Sequence, residues 1–243
     1  MSVPRPVLVV QHEDECPPAW FGDWLAEAGV LLDVRRAYDG DPLPDHLDDY
    51  AGLLVLGGAM GANDDTECPW LGPTRSLLRV ALAAEVPTLG ICLGHQLLAV
   101  AAGGRIDRHG AGFQCGLVPI GWTTEAAGDP LFGALVRAGG YQDPVAVQWN
   151  VDVVTALPAG AVPLAHTAGG AVQAMRVGAT AWGIQSHPEA GRAIVGAWID
   201  NAGTAAGAAE RRLLCDLEPA NARLQLAWRP LAEGFAGQCS AAR

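Results

Sequence analysis

The run Val86-Pro-Thr-Leu-Gly90-Ile-Cys92-Leu-Gly94-His-Gln96 constrains the fold more than any other part of the chain. Thr88 to Ile91 is short and wholly apolar or β-branched, which predicts a strand buried on both faces. Leu93 to Ala102 is apolar at helical length and closes on Gly103-Gly104, a helix stop. A strand passing through G-x-C-x-G directly into a helix is a nucleophile elbow. The two glycines allow the tight reversal that holds Cys92 above the sheet, where a β-carbon at either position would meet a neighbouring strand or helix. The sulfur then sits at a helix N-terminus, where unpaired N–H groups and the helix dipole favour negative charge. A cysteine taken at random is more simply a small core residue. Strand, glycines and helix together make this one a nucleophile.

The rest of the N-terminal half repeats the strand and helix alternation. Val7 to Gln11 is a strand, Pro17 to Gly29 has helical spacing of Trp20, Trp24, Leu25 and Ala28, and Val30 to Val34 is apolar again. Gly52 to Leu56 is a further apolar run stopped by Gly57-Gly58, followed by a helix from near Pro73 to before Pro87. Strands too apolar to alternate, separated by helices, predict a mainly parallel sheet covered on both faces, an α/β fold. After Gly116 the pieces shorten: Leu117 to Ile120, Val145 to Trp149, Val162 to Ala165, Ala171 to Met175 and Ala181 to Gln185, some of them antiparallel additions. Pro188 to Ala202 reads as a helix. Ala205 to Phe235 reads as two helices broken at Glu218-Pro219 and packed on the body. The expected organisation is a main domain over 1–202 and a helical C-terminal extension over 203–243.

All 15 basic residues are arginine, against 26 acidic residues and a net charge of -11. Without lysine there is no phosphate-binding loop of the GxxxxGK[ST] kind, no Schiff base and no covalent pyridoxal phosphate. The acidic balance argues against nucleic acid as a partner. The first ten residues do not read as a secretory leader, and no apolar run approaches the roughly 18 to 20 residues of a membrane span, so a cytoplasmic location is expected. The six cysteines have irregular spacing with no CxxC pair, which points to free thiols rather than zinc ligands or disulfides. No metal and no cofactor is expected.

A cysteine nucleophile needs a base, and usually a group that orients the base. His187 stands at the end of the apolar strand in Trp182-Gly-Ile-Gln-Ser-His187-Pro-Glu189, and Glu189 could take its ring N–H from the same turn. His12, His46, His109 and His166 lie among polar or turn residues and read as surface side chains. His95 is the rival base, but three residues into a helix it would point away from the thiol. Gly57-Gly58 follows another strand, so backbone amides there, with that of Leu93, could face a developing oxyanion.

Gly90-Ile-Cys92-Leu-Gly94-His-Gln96, Gly57-Gly58-Ala-Met60 and Trp182 to Glu189 together resemble the class I glutamine amidotransferases, particularly stand-alone proteins similar to the amidotransferase part of GMP synthetase. The resemblance spans nearly the whole chain, with Gln148-Trp149-Asn150-Val151-Asp152, Leu157-Pro158 and Ala171 to Met175 in the expected order. It implies an α/β fold of flavodoxin-like type and hydrolysis of the glutamine side-chain amide by a Cys92, His187 and Glu189 triad, with the Gly58 and Leu93 amides as oxyanion hole. It also implies that Gln96, Gln148 and Trp149 bind substrate. The chain departs from the family pattern at Ala59 for proline, Asn150 for histidine, Ser186 for an aromatic, and Gln114 for glutamate.

Two active readings remain open on these residues, with the oligomeric state unspecified. One is a glutaminase that hands ammonia to a separate synthetase, since the chain has no SGGxDS-like pyrophosphatase loop. The other, suggested by the altered rim at Asn150 and Ser186, is a self-sufficient hydrolase of a γ-glutamyl amide. A non-catalytic binding or regulatory protein of the same fold is the third reading.

Overall fold

The computed structural model describes residues 4–139, 145–202 and 206–241. In chain order the elements are β1 (Val7–Gln11), α1 (Ala19–Glu27), β2 (Leu32–Arg36), β3 (Gly52–Val55), α2 (Leu71–Ala83), β4 (Thr88–Ile91) and α3 (Leu93–Ala101). There follow β5 (Arg105–Arg108), β6 (Gln114–Pro119), β7 (Gly121–Trp122), α4 (Gly133–Gly139), β8 (Val145–Asn150) and β9 (Asp152–Ala156). The chain then forms β10 (Val162–His166), β11 (Val172–Val177), β12 (Ala181–Ile184), α5 (Arg192–Asn201) and α6 (Ala208–Ala241).

Eight strands form one sheet in the order β2-β1-β3-β4-β12-β11-β10-β7. The five strands from β2 to β12 run parallel, and β11, β10 and β7 continue antiparallel. Side chains alternate across the sheet, so each strand feeds two cores. Val7 and Val9 join a cluster with Phe21, Val195, Leu217 and Trp228, from α1, α5 and α6. Leu8 and Val10 join the other with Leu71, Leu77 and Leu97, from α2 and α3. Both faces are thereby covered, which is why the inner parallel strands β1, β3, β4 and β12 are buried throughout, whereas the edge strand β2 carries Asp33, Arg35 and Arg36 and is partly exposed. Each fully buried leucine or valine side chain contributes about 1.5–3 kcal/mol. The mainly parallel, helix-flanked sheet with antiparallel additions is the one expected.

The tail differs from expectation. It is one helix, α6, that continues through Pro219 and Pro230 rather than two broken at Pro219. A proline inside a helix loses one hydrogen bond and crowds the preceding turn, yet Leu213, Leu217, Ala220, Leu224, Trp228, Leu231 and Phe235 recur every three or four residues and are all buried. That continuous apolar stripe is anchored on α1, α4, α5 and β6. Packing overrides the break. Residues 203–205 and 242–243, part of the expected extension, lie outside the described residues.

Two small antiparallel pairs, β5 with β9 and β6 with β8, are separate from the main sheet, and Val147 of β8 bridges to His187. Neither β5 nor β9 is marked by the sequence pattern. Among the described residues no helix is long and apolar enough to cross a membrane.

Candidate active site

Parallel pairing assembles the site. β12 lies beside β4 with Ile184 opposite Ile91, so the residues that follow each strand emerge together at the sheet's C-terminal edge, where open α/β sheets bind ligands. Cys92 follows Ile91, and its amide donates to the Ile184 carbonyl at 2.8 Å. Gln185 to Glu189 follow Ile184. The His187 amide donates to the Val147 carbonyl at 2.8 Å, which draws β8, and with it Trp149, onto the same edge.

Cys92 is the N-cap of α3 and has φ 51° and ψ -104°. A non-glycine residue in such a conformation carries strain of about 1–3 kcal/mol and persists only where its surroundings impose it. Here they do. A β-carbon on Gly90 would run into the Gly94 carbonyl, and one on Gly94 into the Val55 carbonyl. The bend predicted from G-x-C-x-G is therefore present, with the Cys92 side chain 5% exposed.

His187 Nδ1 and Glu189 Oε1 are 2.7 Å apart, and both side chains are buried. Burial opposes the charged ring, but the negative charge and hydrogen bonding of Cys92 and of Glu189 prevail and raise His187 well above the ordinary imidazole range. Its Nε2 is buried without another complete hydrogen bond. Gly57 fills the gap beside the pair: a β-carbon there would lie 3.0 Å from His187 Cε1 and 3.6 Å from Cys92 Cβ. Gly58 and Leu93 are neighbours, since a β-carbon on Gly58 would lie 3.0 Å from Leu93 Cδ2. The next amide in the helix, Gly94, is committed to the Leu56 carbonyl at 3.1 Å.

Gln96 is buried and donates to the Asp152 carbonyl at 3.0 Å and to Gln185 Oε1 at 3.2 Å. Trp149 lies beside the thiol, its carbonyl 3.9 Å from Cys92 Sγ. Gln148 is turned away: it is buried, its Nε2 donates to Asn150 Oδ1, and it is on the wall of neither cavity described below.

One histidine sits where the sequence did not suggest. His12, expected at the surface, is 1% exposed beneath Gly58, accepts the Trp70 indole N–H at 3.2 Å, and is pushed down to about 3 by burial. His95 is fully buried against Gly183 of β12, away from the thiol as expected, and burial likewise lowers it to about 3. His46 is exposed, and His109 and His166 are half-buried.

Sequence reasoning missed Gln185 as a site residue. Its Nε2 donates to Cys92 Sγ at 3.5 Å while its Oε1 holds Gln96. The signal was its position one residue past a strand paired with β4. Trp198, also missed, packs on the His187 ring with centroids 4.6 Å apart and is pinned by an indole bond to the Glu15 carbonyl at 2.8 Å.

Two cavities meet at Cys92. The larger, about 470 Å³, is lined by Gly58, Gln96, Arg108, Asn150 and Asp152 among others. The smaller, about 180 Å³, lies on the His187 side, against Trp198, Cys16, Glu13 and Glu15. Gly58, Ala59, Cys92 and Trp149 border both. All six cysteines are free. Among the described residues no group of three or more His, Cys, Asp or Glu side chains is placed to share a metal ion.

Comparison with known proteins accords with this arrangement. The family model described as Glutamine amidotransferase class-I matches residues 23–196. The chain is 32% identical over 187 residues to gamma-glutamyl peptidase 5 of Arabidopsis thaliana, covering 74% of this chain and 70% of that protein. It is 35% identical over 164 residues to a glutamine-hydrolysing GMP synthase subunit of Halobacterium salinarum, covering 66% of this chain and 76% of that protein. A crystal structure of a glutamine amido transferase from Methylobacillus flagellatus superposes with a TM-score of 0.82 at 29% identity, over 96% of this chain and 95% of that one. A cysteine on a glycine-bracketed bend, a histidine brought beside it by a parallel strand, and a family match running through both place the chain in the class I glutamine amidotransferase family.

Proposed function

We propose that Cys92, His187 and Glu189 act together to hydrolyse the γ-amide bond of a γ-glutamyl compound, of which glutamine is the smallest. Cysteine-based hydrolysis of the glutamine amide is the chemistry of the family. The observation that carries the assignment to these residues is the 2.7 Å contact of His187 with Glu189, on a ring that also interacts with Cys92.

In this reading the Cys92 thiol gives its proton to His187 and its sulfur attacks the γ-carbonyl carbon. The Gly58 and Leu93 amides hold the oxygen as it gains negative charge, a role worth about 100- to 1000-fold in rate. The C–N bond then breaks, and the proton on His187 passes to the departing nitrogen, leaving a thioester on Cys92. A water gives its proton to His187, adds to the thioester carbon, and displaces the sulfur, which is reprotonated as glutamate leaves. Glu189 keeps the ring oriented through both halves. The larger cavity takes the glutamyl portion: Arg108 is a cation suited to its carboxylate and Asp152 an anion suited to its ammonium, with Gln96 and Trp149 beside them.

A diazoketone analogue of glutamine, followed by intact mass, tests this. One adduct is expected on the wild type and none on Cys92→Ala; an unlabelled wild type would refute the assignment.

What receives the nitrogen divides two readings. Relatives named as glutamine-hydrolysing GMP synthase subunits favour release of ammonia to a separate synthetase. The cavity on the His187 side and the relatives named as gamma-glutamyl peptidases favour a self-sufficient hydrolase.

A further inference from the structure

We propose that the smaller cavity beside Cys92 receives the departing amine of a γ-glutamyl amide and selects an amine whose far end is cationic. This rests on the hydrolysis proposed above and adds the leaving group to it.

The sulfur lies at the junction of two cavities, so the two halves of an amide attacked there must occupy one each. His187 decides which half goes where. It lines the smaller cavity and not the larger, and its Nε2 is buried with no other complete hydrogen bond to hold it. The proton from His187 must reach the departing nitrogen as the C–N bond breaks, so the nitrogen lies on that side. It leaves as a neutral primary amine, and any positive charge at the far end belongs to a second group.

Volume argues that the amine is larger than ammonia. Ammonia is similar in size to water, whose share of liquid volume is about 30 Å³. The cavity, at about 180 Å³, has room for a chain of several heavy atoms.

The walls argue for its charge. Trp149 and Trp198 supply two indole rings with centroids 5.5 Å apart, which suit an alkyl chain and can face a cation. Glu13 and Glu15 are on its wall, and among the described residues no arginine is. Cys16 brings no compensating charge. Burial and the Glu13 carboxylate push its thiol up, so it remains neutral and donates to Glu13 Oε1 at 3.0 Å, holding that carboxylate in place. A leaving group ending in a carboxylate would meet like charge, whereas one ending in an ammonium would meet opposite charge and aromatic faces.

The test compares four substrates on the wild type by glutamate release: glutamine, and the γ-glutamyl amides of 1,4-diaminobutane, n-pentylamine and 4-aminobutanoate. The expected order of kcat/KM is diamine, then alkylamine, then amino acid, with about tenfold or more between first and last, as for one partly screened charge contact. In the double variant Glu13→Gln, Glu15→Gln the preference for the diamine over the alkylamine amide should shrink. Fastest turnover of glutamine, equal turnover of the carboxylate-ending amide, or an unchanged preference in the double variant would overturn the proposal. The diazoketone separates the two levels, because it loads Cys92 from the glutamyl side without a leaving amine. No adduct refutes the hydrolysis itself, whereas an adduct with the wrong substrate order refutes only the leaving group.

Discussion

Glu189 touches only the far side of the His187 ring, through Nδ1, yet the charge on that ring depends on it. Interactions with Cys92 and Glu189 raise His187 against the effect of burial, and the form that can donate a proton to a leaving nitrogen is the protonated one. As pH rises through the His187 value that proton is lost, and the rate falls. Glu189→Gln keeps the shape and removes one of the raising charges, so the loss should begin at lower pH. We expect the alkaline limb of the kcat profile to move down in pH, and kcat at neutral pH to fall about tenfold or more. A limb that stays in place while only the amount of folded protein changes would assign Glu189 a structural role. Gln185 works at the same scale: a single side-chain amide reaches both the Cys92 sulfur and Gln96, tying the nucleophile to the larger cavity.

Among the elements, α6 shows how tertiary packing decides a local question. Pro219 is exposed on a helix whose opposite face is buried along its length. A proline in a helix interior costs about 3 kcal/mol relative to alanine, because the ring removes an N–H donor and crowds the previous turn. Pro219→Ala should therefore stabilise the protein by about 1–3 kcal/mol in urea unfolding, with the denaturant slope unchanged. A loss of stability would mean that the proline's own geometry is needed for the path of α6. The β4–α3 junction makes the opposite point. There Gly90 and Gly94 leave no space for a side chain, and local sequence and tertiary contact demand the same bend.

At the scale of the whole molecule, two buried imidazoles, those of His12 and His95, are lowered by burial. His95 is fully buried, its ring nitrogens have no complete hydrogen bond, and burial lowers it to about 3. An unfolded histidine titrates near 6.5. Between those values the unfolded chain binds a proton that the folded chain refuses, so stability is full above about pH 6.5 and declines as pH falls toward 3. The slope is about 1.4 kcal/mol per pH unit for one such group. Between pH 7 and pH 5 the wild type should lose about 2 kcal/mol more than His95→Phe, measured by urea unfolding; equal losses would show that His95 does not govern acid stability. The amino-acid order alone determined the inner parallel strands and the elbow, and it singled out Cys92 and His187, because uniformly apolar runs, paired glycines and a histidine at a strand end each leave a local mark; the edge strand, read at Val30 to Val34, is displaced to Leu32–Arg36. It left β5 and β9 unseen, since Arg105–Arg108 and Asp152–Ala156 are short and become strands only by finding each other across the chain. It misplaced His12, whose polar neighbours conceal a position under Gly58 and beside Trp70. It could not show that a helix would pass through two prolines, or that Trp149 and Trp198 would wall a second cavity next to the sulfur. Those features depend on distant segments brought into contact, and only the tertiary structure decides which segments meet.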